Sequence, residues 1–165
     1  MTEIHRVVHW TSLAEEPAPH RDLMKPVWIP DMVTTFNKPH GGLWTSPEQS
    51  DYPWEQWAGD NGYGDGWLGR KYVLTVEGEP KILVCDGPGD LQEIWEGFGR
   101  TGKDLGMFVM KDLDWVEISR YYDAFYLTVQ GHFSTRMGFE LNTYAWDCET
   151  VFWFNWCFDT VEEAS

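Results

Sequence analysis

Cationic side chains are scarce in this chain: 12 Lys and Arg stand against 27 Asp and Glu, a formal charge of −15 over 165 residues. Proteins that grip nucleic acid set Lys and Arg against phosphates and release condensed counterions, so this balance excludes an electrostatic nucleic-acid grip. It favours a cationic protein partner, or solubility alone. Long apolar runs are also missing. No window of the sequence carries the uncharged stretch of a signal peptide or a membrane helix, which predicts a cytoplasmic protein without membrane contact. Cysteine is limited to Cys85, Cys148 and Cys157. Three thiols cannot all pair within one chain, and they fit a reducing compartment as buried free thiols. No phosphate loop of the Gly-x-x-x-x-Gly-Lys type, no His-Glu-x-x-His and no zinc-knuckle spacing occurs, so no metal site is expected. Asp86-Gly87-Pro88-Gly89-Asp90 has too few spaced acids for a calcium loop and reads as a turn.

What the chain does have is apolar and aromatic material. Hydrophobic residues make up 42% and aromatics 16%, with 11 Trp. That is enough for one core, and the length predicts a single domain spanning residues 1–165. Some of the rings are expected in a groove. Glu3 to Trp10 alternates in polarity and reads as a strand, followed by a proline-bearing loop and an irregular stretch from Arg21 to His40. Leu43 to Thr45 reads as a short strand, and Ser46-Pro47-Glu48-Gln49 has the form of a helix start with Ser46 as N-cap. Gly59 to Gly69 is a glycine-rich loop. Lys71 to Glu77 and Pro80 to Cys85 predict a hairpin around Gly78-Glu79. Helices are expected over Asp90 to Phe98 and Asp114 to Tyr121, and strands over Ala124 to Val129, Phe139 to Tyr144 and Thr150 to Phe154. The acidic tail reads as a solvated helical turn. Short helices and strands that do not strictly alternate predict an α+β fold rather than a doubly wound parallel sheet.

Three separated segments carry the candidate chemistry. Val7-Val8-His9-Trp10-Thr11-Ser12 ends a strand in a histidine and two hydroxyls; Gly42-Leu43-Trp44-Thr45-Ser46 offers an indole on a short strand; Glu149 precedes Thr150-Val151-Phe152-Trp153-Phe154-Asn155. Read singly, His9 is a histidine at a strand end, Trp44 a core aromatic and Glu149 a charge at a strand start. Taken in order, they resemble the three active-site strands of the His-Tyr-Glu branch of ADP-ribosyltransferases, in divergent members of the kind that bacteriophages encode. The resemblance implies a split, mixed or antiparallel sheet with short flanking helices, and NAD as substrate. It implies His9 on a ribose hydroxyl, the backbone of Trp10 and Thr11 at the nicotinamide amide, Trp44 against the nicotinamide ring and Ser46 among the NAD contacts. Trp10 stands where the family has glycine, and Trp44 where it has tyrosine. Glu149 takes the place of the catalytic glutamate, with Asp147 as its competitor. Such a carboxylate stabilises the positive charge that develops on ribose as nicotinamide leaves. The acceptor of ADP-ribose would be a macromolecule, a protein first of all, or water.

Tyr122-Asp123-Ala124-Phe125 is similar to a Tyr-Asp-Gly element of the same family, and Asp123 reads there as a structural turn residue. Two readings of other classes stay open. One is a non-catalytic acidic protein, an inhibitor or DNA mimic, that occupies a basic surface; the −15 charge motivates it, although the acids are not set in long rows. The other is a Trp-lined sugar-binding module.

Overall fold

The computed structural model describes residues 3–30, 37–63, 68–101 and 111–165. Alternating apolar residues build a mixed seven-stranded sheet, and four short helices accompany it, so the fold is α+β. The strands are β1 (Arg6–Trp10), β2 (Leu43–Pro47), β3 (Lys71–Val76), β4 (Ile82–Cys85), β7 (Ala124–Leu127), β8 (Thr150–Trp153) and β9 (Phe158–Glu163). Two further strands, β5 (Gly99–Thr101) and β6 (Lys111–Leu113), form a separate antiparallel pair. The helices are α1 (Trp54–Asp60), α2 (Pro88–Phe98), α3 (Trp115–Ile118) and α4 (Val129–Thr135).

The large sheet runs in the order β4-β7-β8-β2-β1-β3-β9. Among the described residues only β4 and β7 pair in parallel. All four residues of β7 and of β8 are buried, as befits central strands covered on both faces. Alternation splits them between two cores. Phe125, Leu127, Phe152 and Phe154 join Trp115, Trp146, Leu91 and Ile94 on one face. Tyr126, Val151 and Trp153 join Val7, Tyr72, Leu74 and Phe158 on the other.

The sheet is split along β2. The first half of that strand pairs with β8 through Leu43↔Trp153, Trp44↔Phe152 and Thr45↔Val151, and its end pairs with β1 through Val8↔Ser46 and Val7↔Pro47. Beyond Val8, β1 leaves β2 and stays paired only with β3, through His9↔Tyr72 and Trp10↔Lys71. A gap opens between His9-Trp10 and Leu43-Trp44.

Several expected elements differ. The hairpin around Gly78 does not form: β3 pairs with β1 and β9, whereas β4 lies at the far edge beside β7. Ser46 and Pro47 close β2 instead of starting a helix, and α1 begins only at Trp54, after Pro53. Phe139 to Tyr144 is irregular, with Phe139 88% exposed. The acidic tail forms β9, whose outward Asp159, Glu162 and Glu163 suit a solvent-facing edge. Helix α4, capped by Thr128 through Gly131 N–H, follows directly on β7 where the strand was expected to run on. Parts of the Arg21 to His40 stretch (31–36) and of the glycine-rich loop (64–67) lie outside the described residues. Among the described residues no helix is long and apolar enough to cross a membrane.

Candidate functional site

A cavity of about 320 Å³ sits where β1 and β2 part. Its wall takes His9 and Trp10 from β1, Trp44, Thr45 and Ser46 from β2, Trp54 from α1, Asp147 and Cys148 from the approach to β8, and Thr150 from the start of β8. Segments about 140 residues apart in sequence thus meet because β1, β2 and β8 are successive neighbours in the sheet.

His9 bridges the gap, with Nδ1 2.8 Å from the Trp44 carbonyl oxygen. A carbonyl can only accept, so this geometry assigns the proton to Nδ1 and leaves Nε2 as an acceptor. Burial lowers the pKa of His9 and outweighs the opposing hydrogen bond, so the ring is neutral at pH 7. Trp44 packs against Phe152 and Trp146 at centroid distances of 4.6 and 4.9 Å. The Lys38 ammonium stands 5.3 Å from the centroid of the Trp44 ring and 4.0 Å from Asp147 Oδ2. Trp10 presents a buried Nε1–H that has no hydrogen-bond partner among the described residues, and Lys71 lies 5.7 Å from its ring.

Thr11 does not line the cavity. Its hydroxyl donates to the Leu13 carbonyl and accepts Arg70 N–H, both at 2.8 Å, which fixes the turn after β1. Ser46 lines it but spends its hydroxyl proton on the Glu149 carbonyl at 2.8 Å, and accepts Trp54 N–H at 3.4 Å. It is a tie between β2, α1 and β8.

Glu149 departs from the expected site. Its carboxylate accepts from Tyr126 OH at 2.6 Å and from Ser50 Oγ at 2.5 Å, and the residue is 6% exposed. Tyr126 belongs to the Val151 and Trp153 face, whereas Trp44 belongs to the Phe152 face. The Glu149 carboxylate and the Trp44 ring therefore lie on opposite faces of the sheet, and Glu149 is absent from the cavity wall. Asp147 is the carboxylate that faces the cavity. Burial raises its pKa, and Lys38 and Arg136 work against that rise.

Sequence reasoning missed Lys38 and Trp54. Trp54 has only helical spacing with Trp57 to mark it, a pattern that reads as packing, and nothing local marks Lys38, which reaches the site from the connection before β2. Ser50, which holds Glu149, was equally silent. Among the described residues no group of three His, Cys, Asp or Glu could hold a metal ion. The wall instead combines a neutral imidazole acceptor, three indoles and one carboxylate, a set suited to a flat ring joined to a hydroxylated sugar. No protein-family model, no curated protein and no solved structure matches this chain.

Proposed function

We propose that the protein is an NAD-dependent ADP-ribosyltransferase or NAD glycohydrolase, which breaks the nicotinamide–ribose bond and passes ADP-ribose to a macromolecular acceptor, a protein first of all, or to water. The observation that carries this reading is that the three resembling segments form adjacent strands, and that residues of all three wall a single cavity at the split. In this reading Trp44 stacks on the nicotinamide ring, and His9 Nε2 accepts a hydrogen bond from a ribose hydroxyl. The glycosidic C–N bond breaks with its electron pair leaving on the nicotinamide nitrogen. The oxocarbenium-like ribose is stabilised by a nearby carboxylate and captured by the acceptor oxygen or nitrogen, whose proton is lost to that carboxylate or to solvent. Of the two carboxylates open on the sequence, the geometry favours Asp147 for this role. Glu149, held by Tyr126 and Ser50, positions the irregular segment before β8 that carries Asp147.

Nicotinamide release from NAD by the purified protein, with and without cell extract, tests the reading. Asp147→Asn should lower release by about 10²-fold or more, the scale of removing one electrostatic stabiliser, with NAD still bound. Glu149→Gln should act mainly on stability. Neither release nor NAD binding at millimolar concentration would sink the proposal, and salt-sensitive capture of a basic protein would then support the acidic interaction reading that the charge of −15 motivates.

A further inference from the structure

We infer that the cavity is a seat for flat organic cations, which the protein's own Lys38 ammonium now occupies and which a bound cation takes over. The inference rests on the cavity assigned above as the nicotinamide site, but not on cleavage of NAD. Its basis is where Lys38 lies. Nζ stands 5.3 Å from the Trp44 ring centroid and 4.0 Å from the Asp147 carboxylate. An indole face and a carboxylate converging on one ammonium define a cation site, since the ring quadrupole and the formal charge act in the same sense.

Lys38 is held loosely there. Its side chain is 42% exposed, no hydrogen bond is made at the 4.0 Å separation, and a four-carbon stem lets the ammonium swing to solvent. Among the described lining residues it is the sole cation, because burial keeps His9 neutral. When it leaves, Asp147 keeps a partly desolvated charge that a ligand cation can satisfy. The occupant is organic rather than an inorganic ion. Trp10, Trp44 and Trp54 give the wall three soft aromatic faces, and a single carboxylate cannot replace the hydration shell of a metal ion. The net charge of −15 draws cations toward the surface in general.

Binding of the N-methylnicotinamide cation and of neutral nicotinamide, two rings of nearly one shape, tests this by calorimetry or by quenching of Trp fluorescence. The cation should bind roughly tenfold or more tighter than the neutral ring, as a desolvated cation–π contact implies. Asp147→Asn should shrink that preference severalfold, leaving the part that the Trp44 ring supplies, and Lys38→Met should tighten the cation severalfold by removing its competitor. Melting curves of both variants check that they are folded. Equal affinity for the two rings, or a weakened cation in Lys38→Met, overturns the inference. NAD cleavage without a cation preference overturns this inference alone, whereas a cation preference without cleavage leaves it standing and removes the transferase reading.

Discussion

His132 lies beneath the ring of Tyr52, 1% exposed, and burial lowers its pKa to about 4 from an unperturbed 6.5. The neighbouring charge of Arg136 lowers it further, and a hydrogen bond with the Trp146 carbonyl opposes both. Because the folded pKa is depressed, the stability tied to neutral His132 is complete above pH 6.5. It drains away as the pH falls toward 4, by about 3 kcal/mol over that window. His132→Gln, which keeps a donor and cannot titrate, should flatten this part of the profile. Urea unfolding at several pH values between 4 and 7 checks it, and an unchanged slope in the variant would show that other groups cause the loss. Glu149 makes a second residue-scale case. Tyr126→Phe removes the donor to Oε1 and leaves a buried carboxylate oxygen unpaired, for an expected cost of about 1–3 kcal/mol. Burial and the Glu149 hydrogen bond push the Tyr126 phenol well above its ordinary pKa, so it stays a donor across the whole working range. At this scale the sequence showed which residue types gather at the split, His9, Trp10, Trp44, Ser46 and Asp147. Glu149 keeps the alternation of Val151 and Trp153 and so faces away from Trp44, whereas Asp147 lies in the irregular approach to β8, where that period no longer holds and the sequence could not place its side chain.

Gly42 sets the approach of β2 to β8. Its φ is +58°, and a Cβ there would lie 2.4 Å from Phe152 Cζ and 2.5 Å from the Trp153 carbonyl oxygen. Gly42→Ala should therefore cost roughly 2–4 kcal/mol, from left-handed backbone strain plus overpacking, and should shift the near-ultraviolet signal of Trp44. Gly59 is the contrast: it lies in α1 with nothing within 4 Å of a built Cβ. Gly59→Ala should be neutral or stabilise by up to about 1 kcal/mol. Thermal melts of the pair decide whether close approach or helix propensity governs the two ends of this connection. The same logic explains which elements were legible. Strands β1, β2, β3, β4, β7 and β8 announce themselves by apolar alternation or by short apolar runs. The turn at Gly78, with φ +67°, is real, but a turn signal says only that the chain reverses and does not choose the partner strand. Burial made that choice: Leu74 lies in register with Val7, and Leu83 with Phe125. Strand β9 hid because five of its six residues face solvent or its margin, so its composition reads as an acidic tail. Its place in the sheet comes from backbone pairing with β3.

Across the whole molecule, the 27 acids outnumber the cations, and much of the cationic charge is already spent. Arg6, Arg70, Lys71, Arg100, Lys111 and Arg120 each sit against a carboxylate within 4 Å, leaving the surplus of acids to repel one another. Exposed pairs such as Arg70 with Glu163 contribute little, so screening them removes little stability, whereas screening the unpaired acids relieves repulsion that acts over the whole fold. The Debye length shrinks from about 30 Å at ~0.01 M salt, comparable with the molecule, to about 8 Å at ~0.15 M, comparable with neighbouring side chains. Raising NaCl across that interval should therefore stabilise the protein. A gain of about 1 kcal/mol corresponds to roughly 2–4 °C in Tm for a chain of this size. Differential scanning calorimetry in NaCl and in sodium sulfate at equal ionic strength separates screening from ion exclusion, because only screening gives the same early rise in both salts. A Tm that falls as NaCl is added would mean that the ion pairs, and Arg100 with the 5% exposed Asp112 above all, outweigh the repulsion among the acids.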